Sequence, residues 1–271
     1  MAQRFRAAAE TRLDKAIADA TPLSRNRARK LIESGGVLVD GKRAKHASVV
    51  VAAGSEIEVR NVPQKQKEES PLVERYRDDA ILVVEKPAGL PTQATREGGR
   101  RHLFAMLQAR HRYVGLHHRL DTPASGLVLV TLDPAVNAAV HAGFERHQIQ
   151  RTYEVAVIGD PGAGSWTAPI DGESAHTRFR RVATDGRQSL LEVELETGRM
   201  HQIRRHAAMA GVPVLGDLRY GGAAKKLWPR LALHARRLAL AHPVTGAPLV
   251  VESPIPDDLE ALWAAISGAS R

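Results

Sequence analysis

The segment Pro63-Gln64-Lys65-Gln66-Lys67-Glu68-Glu69-Ser70-Pro71 limits what this 271-residue chain can fold into more than any other feature. It is polar, bounded by prolines and without apolar periodicity, so it reads as a linker. A chain interrupted in this way folds as two units. We expect a small domain over residues 1–62, a linker over 63–72 and a large domain over 73–271, with core enough to fold unaided. Charge divides along the same line. Residues 1–62 hold 12 Lys and Arg against 7 Asp and Glu, more than half of the net +9 of the whole chain. That excess favours a polyanionic partner, either nucleic acid or a membrane surface. No apolar run approaches the roughly 20 residues of a membrane span, and the first residues lack a signal-peptide core. Nucleic acid is therefore the expected partner, without a membrane, and the cytoplasm the expected location. With no cysteine in the chain, disulfides, thiolate nucleophiles and sulfur-ligated zinc are excluded.

In the small domain, Ser24 can cap a helix from Arg25 to Ser34, which Gly35-Gly36 would stop. Ala28, Leu31 and Ile32 share one face, while Arg25, Arg27, Arg29 and Lys30 spread over the rest. A charged helix face is often only a solvated one. Here four cations stand against the single acid Glu33, and this imbalance argues for phosphate contacts. Val37-Leu38-Val39 follows as a strand and Asp40-Gly41 as a tight hairpin turn. Gly36 to Lys42 has the spacing of a phosphate-binding loop. However, Arg43 stands where a Ser or Thr would hold magnesium, and a strand fills the supposed loop, so nucleotide binding is rejected.

In the large domain, strands are expected at Ala80–Glu85, Leu127–Thr131, Tyr153–Ile158, Phe179–Val182 and Leu190–Glu196. Helices are expected at Leu103–Arg110, Pro134–Arg146, Met200–Ala210 and Leu259–Ile266. Strands dominate and helices fall irregularly among them. The fold class is α+β: a mixed, mainly antiparallel sheet domain preceded by a small helical and β domain.

Two segments carry chemistry. His118-Arg119-Leu120-Asp121-Thr122-Pro123-Ala124-Ser125-Gly126-Leu127 sets one carboxylate in a turn, at the mouth of an apolar strand and beside a basic pair. Thr197-Gly198-Arg199-Met200-His201-Gln202-Ile203-Arg204 offers a cation that would keep such an acid charged and oriented. On residue type alone, Asp121 could equally cap a turn, Arg204 could be a surface charge, and Tyr153 could pack in a core with a wet tip. The histidines lack zinc spacing: His201 and His206 are five apart, and no H-E-x-x-H occurs. No metal is expected.

Together these segments resemble the RluA family of RNA pseudouridine synthases. The similarity continues through Arg151-Thr152-Tyr153, Gly216-Asp217, Tyr220-Gly221, Leu233-His234-Ala235 and His242-Pro243-Val244-Thr245-Gly246. The N-terminal part resembles the small RNA-binding module of a ribosomal small-subunit protein and of bacterial tyrosyl-tRNA synthetases. It does so over Arg12-Leu13-Asp14-Lys15, Leu23-Ser24-Arg25, Lys30-Leu31-Ile32, Gly36 to Lys42 and Gly54-Ser55-Glu56-Ile57. Ala124 departs from the family, which usually has Thr there, and removes a hydroxyl near Asp121.

The resemblance implies an isomerase that converts uridine to pseudouridine in structured RNA, with no cofactor and as a monomer. It assigns Asp121 as catalytic carboxylate, Arg204 as its cationic partner and Tyr153 as platform for the base. Arg25, Arg27, Arg29, Lys30 and Lys42 would bind RNA. Arg119 would fill the gap left when the target base is turned out of its stack. His118 is expected to be a structural hydrogen-bonder. Ribosomal RNA is favoured as substrate, with transfer RNA the other possibility. Two other readings stay open: an RNA-binding ribosome-assembly factor with an inactive catalytic domain, and a hydrolase that releases uracil. A hydrolase would need a second carboxyl group.

Overall fold

A computed structural model of the chain describes residues 3–21, 23–59, 72–94 and 101–268. The chain divides into two compact units, Met1–Ser70 and Pro71–Arg271. Apart from Leu72, the linker expected over 63–72 lies outside the described residues.

The N-terminal unit runs β1 (Gln3–Arg6), β2 (Thr11–Arg12), α1 (Leu13–Ala20), α2 (Arg25–Glu33), β3 (Val37–Val39), β4 (Lys42–Arg43), β5 (Val50–Val51) and β6 (Glu56–Val59). Its main sheet has the order β1-β6-β3-β4, with β2 paired to β5. Leu13 and Ile17 of α1 pack with Ala28 and Ile32 of α2 over Val37 and Ile57. Each such burial stabilises by about 1.5–3 kcal/mol for a large aliphatic side chain. Asp40 and Gly41 both have positive φ, 47° and 76°, as a two-residue hairpin turn requires. Ser24 does not cap α2 through its side chain. Its carbonyl takes the N–H groups of Arg27 and Ala28 instead, both at 2.9 Å.

The C-terminal unit runs β7 (Glu74–Arg77), β8 (Ile81–Lys86), α3 (Leu103–Gln108), β9 (Gly115–Leu116), β10 (Ser125–Thr131), α4 (Asn137–Glu145), β11 (Gln150–Ile158), β12 (Ala163–Trp166), β13 (Thr177–Thr184), β14 (Gln188–Leu195), α5 (Gln202–Met209), β15 (Leu233–Ala241), β16 (Pro248–Glu252) and α6 (Asp257–Gly268). Ten strands form one sheet along the path β12-β13-β14-β11-β15-β10-β8-β7, with β16 on β15 and β9 on β10. The pair β10–β15 is parallel and the other pairs are antiparallel, as the α+β reading expects.

Successive residues of β8 and β10 point to opposite faces, and both faces are covered. Leu82, Val84, Val128 and Val130 enter a core completed by α3, α5 and α6. Ile81, Val83, Leu127 and Leu129 enter a second core with Val140 of α4. That double burial is why β8 and β10 read as unbroken apolar runs.

Sequence reading does not anticipate β15 and β16. Leu233-His234-Ala235-Arg236-Arg237 has no clean alternation, because a bulge interrupts it. Thr152 pairs with Arg237 and Tyr153 with Ala235, which leaves Arg236 unmatched. The helix expected from Met200 begins instead at Gln202. His201 holds a left-handed backbone, φ 55° and ψ 32°, which cannot continue a right-handed helix.

Candidate active site

The sheet register brings three separated segments to one place. Tyr153 on β11 pairs with Ala235 on β15, which pairs in turn with Gly126 on β10. Two strand spacings, about 10 Å, therefore separate the Tyr153 backbone from the strand entered by the Asp121 turn. Gly126 has φ 117°, and a Cβ there would lie 2.3 Å from the Ala235 carbonyl oxygen, so this close approach admits only glycine.

The Asp121 turn is held mainly through its backbone. Lys86, at the end of β8, is buried, and its Nζ donates to the carbonyls of Pro87 (2.9 Å), Leu90 (2.8 Å), Thr122 (3.3 Å) and Ala124 (2.6 Å). Thr92 Oγ1 donates to the Leu120 carbonyl at 2.8 Å and accepts from the Leu120 N–H at 3.1 Å. The Gly89 N–H donates to the Thr122 carbonyl at 2.7 Å. Burial pulls the Lys86 ammonium down to about 7, against the attraction of Asp121.

Asp121 meets a guanidinium. Arg204 NH1 donates to Asp121 Oδ2 at 2.7 Å, while Nε and NH2 donate to Asp217 at 2.7 and 2.8 Å. One buried arginine is thus shared by two carboxylates, 83 residues away on one side and 13 on the other. Burial alone would loosen its proton, but the hydrogen bonds it donates to Asp217 and Asp121 outweigh burial and raise its pKa. Burial likewise opposes the charge on Asp217. Arg204 and the backbone N–H groups of Tyr220 and Arg219 overcome that and hold the carboxyl below the usual range.

Tyr153 is 5% exposed, and its ring belongs to the core. Burial pushes its phenol up, Arg151 opposes that, and Asp121 adds to it. Arg151 also lines a cleft of about 620 Å³ with His176, Arg178, Glu194, Glu196 and Thr197. Asp121 is not among the residues lining that cleft.

The remaining expected site residues take no part in these contacts. Arg119 is exposed, two residues before Asp121. His118 accepts a hydrogen bond from the Leu129 N–H through Nε2 at 2.9 Å, and burial holds it down to about 3. It is a neutral structural group. On the N-terminal unit, Arg27 and Lys42 are exposed, as are Arg29 and Lys30. Arg25 leans onto buried Asp14 at 3.3 Å, and Arg29 pairs with Glu33 at 3.2 Å. Arg25 and Arg29, both expected at RNA, thus already have acidic partners within the unit.

Sequence reading misses three members of the centre. Lys86 reads there as part of a turn, although a lysine just past the apolar run 81–84 is itself a sign of a buried polar contact. Asp217 enters only through similarity, and His201 only as a rejected metal ligand. In the structure, His201 Nε2 lies 3.6 Å from Asp121 Oδ1, and its Nδ1 lies 3.0 Å from the Tyr220 hydroxyl.

Comparison with known proteins gives the family of the chain. Residues 80–209 match the family model described as RNA pseudouridylate synthase, and residues 11–57 match the S4 domain model. A ribosomal large subunit pseudouridine synthase D of Xanthomonas campestris pv. campestris is 32% identical, over 96% of this chain and 90% of that protein. One of the same name from Pseudomonas aeruginosa is 33% identical, over 93% and 90%. Among solved structures, human RNA pseudouridylate synthase domain containing 4 shares the fold, with a TM-score of 0.57 and 23% identity, over 70% of this chain and 92% of that one.

Proposed function

This chain belongs to the RluA-type family of RNA pseudouridine synthases, isomerases that act on RNA, and from that premise we propose that it modifies ribosomal RNA with Asp121 as its catalytic carboxylate. The observation that carries the assignment is the shared guanidinium. Arg204 fixes one oxygen of Asp121 at 2.7 Å, and the other faces His201 Nε2 at 3.6 Å. The reaction breaks the bond from the ribose anomeric carbon to uracil nitrogen 1 and forms one from the same carbon to carbon 5. Carbon 5 loses a proton, nitrogen 1 ends with one, and nothing is released. One oriented anion, a shielded pocket and a flat surface for the detached base meet that need. Tyr153 supplies the surface. Arg119 occupies the gap left by the extruded nucleotide.

The geometry disfavours hydrolysis. A glycosidase needs a second carboxyl group free to handle a proton. Asp217, the other carboxylate on Arg204, is buried, and its oxygens accept from Arg204 and from the backbone of Arg219 and Tyr220. No proton exchange is open to it.

The basic N-terminal unit supports binding to the RNA backbone through the exposed cations Arg25, Arg27, Arg29, Lys30 and Lys42. The names of the relatives favour the large ribosomal subunit. No helix among the described residues is long and apolar enough to cross a membrane. A monomer working in the cytoplasm fits that reading. The test is Asp121→Asn on unmodified large-subunit ribosomal RNA. We expect at least about a thousandfold loss of rate, with RNA affinity retained. Wild-type enzyme should convert uridine without change of mass and without free uracil. Pseudouridine formation by the variant at the wild-type rate would remove Asp121 from the mechanism, and released uracil would identify a hydrolase.

A further inference from the structure

We propose that His201 is the proton carrier of this site, taking from Asp121 Oδ1 the proton that isomerisation removes from carbon 5 and returning it for delivery to nitrogen 1. The inference rests on the reading of Asp121 as the catalytic carboxylate.

Isomerisation needs a group that can both hold and release a proton near neutral pH. The other members of the centre cannot. Arg204 is locked as a cation between two carboxylates. Asp217 is buried and engaged on both oxygens. Lys86 comes down to about 7, but its Nζ donates to four backbone carbonyls that hold the Asp121 turn, so a proton given up there would undo the turn it secures. The Tyr153 phenol is pushed up by burial. An imidazole remains, and its place is specific. Arg204 occupies Oδ2 of Asp121, and His201 Nε2 faces Oδ1 at 3.6 Å. That spacing exceeds a hydrogen bond, and a side-chain movement of well under 1 Å closes it. At the far side of the ring, Nδ1 lies 3.0 Å from the Tyr220 hydroxyl, with the two rings edge to face at 5.7 Å. When Nδ1–H donates to that hydroxyl, Nε2 is a free base aimed at the carboxylate.

The backbone supports the assignment. His201 is a non-glycine residue in the left-handed region, with φ 55°, a backbone that strains an L side chain. The strain is not spent on helix capping, because the His201 side chain makes no cap bond to α5. It aims the ring between Tyr220 and Asp121. The groups facing the imidazole are Asp121, Asp217, Arg204, Arg219 and the Tyr220 hydroxyl. Burial is the largest influence and lowers its pKa, the two arginines add to this, and the two carboxylates oppose it. The net direction is down from the ordinary value of 6.5, which leaves the ring neutral and ready to accept at pH 7.

In the step itself, carbon 5 has already joined the sugar carbon and still bears its hydrogen. Asp121 takes that proton, and the carbon–hydrogen electron pair restores the ring. The proton passes from Oδ1 to Nε2, and the imidazolium gives it back as nitrogen 1 is protonated. No proton is gained or lost overall.

The experiment uses the full chain, unmodified large-subunit ribosomal RNA and single-turnover rates across pH. For His201→Gln, which keeps polarity but cannot carry a proton, we expect about a 100-fold lower rate at pH 7.5 and RNA affinity within about twofold. The wild-type rate should fall in acid with a midpoint below the ordinary histidine value, because the His201 pKa is lowered, and this acid limb should vanish in the variant. His201→Gly relieves the backbone strain, so it keeps the fold, and added imidazole should restore part of its rate in proportion to concentration. A wild-type rate in His201→Gln overturns the proposal. So does a reduced rate with the acid limb intact and no rescue, which would mark a structural role. Asp121→Asn is run alongside: full activity there sinks the parent reading, whereas an inactive Asp121→Asn beside a fully active His201→Gln sinks this inference alone.

Discussion

Replacing Asp217 by asparagine tests whether the shared arginine is held as the distances imply. The carboxylate accepts four hydrogen bonds: from Arg204 Nε at 2.7 Å and NH2 at 2.8 Å, and from the N–H groups of Arg219 at 2.9 Å and Tyr220 at 3.0 Å. Oδ1 takes three of them, so the amide oxygen of an asparagine would settle there. Its NH2 would then face the Arg204 Nε–H, donor against donor. One charge-assisted hydrogen bond is lost, worth about 1.5–3 kcal/mol, and the buried guanidinium keeps only one anion. Breaking a buried pair outright costs about 3–5 kcal/mol. Because Asp121 remains, we expect about 3 kcal/mol. Urea unfolding with linear extrapolation measures it. Asp258→Asn is the internal control. That carboxylate accepts from Arg230 NH2 at 2.7 Å but is 55% exposed, so its loss should cost under about 1 kcal/mol. Because Asp121 loses its fixed partner geometry, the Asp217 variant should also lose activity. Arg204→Met combined with Asp217→Asn should cost less than the two single changes summed. If Asp217→Asn proves no worse than the Asp258 control, the buried triad is not what orders this site.

Arg119→Ala should slow turnover on structured RNA more than on a short unstructured strand; equal losses on both would discard its gap-filling role. Arg27→Ala combined with Lys42→Ala should weaken RNA affinity and reduce the slope of log affinity against log salt by about 0.7–0.9 for each phosphate no longer neutralised; an unchanged slope would remove them from the interface. Burial holds His118 at about 3 and His234 at about 4, below the ordinary 6.5, so the unfolded chain binds protons first as pH falls. Their contribution is present above pH 6.5 and is lost toward pH 4, at roughly 1.4 kcal/mol per pH unit for each histidine. Denaturant titrations across that range should show this slope, and it should flatten when both become glutamine.

Much of the architecture can be read from the chain because it rests on local pattern. The doubly buried β8 and β10 appear as apolar runs, and α4 and α6 show helical spacing. β15 escapes because a bulge at Arg236 breaks its alternation and because histidine and arginine sit where a central strand normally carries aliphatics. The meeting of Asp121 with Arg204 can be expected only through family resemblance, since nothing local links residues 83 apart. Asp217 and Lys86 stay hidden for a related reason. Each matters for what it holds in place, and such a role depends on tertiary neighbours. The left-handed turn at His201 leaves no compositional trace, because histidine is not a residue that marks such a backbone as glycine would.

Lys86 grips carbonyl oxygens, which every residue type offers alike. The turn carrying the acid is therefore secured without regard to which side chains decorate it, and a hydroxyl can be dropped at position 124 without freeing the tether. Side-chain identity at 122 and 123 matters little to this tether, while a change at residue 86 would remove four of the turn's backbone anchors at once. A distant lysine, rather than the letters around Asp121, thus sets how far this centre can diverge and still keep its acid in place.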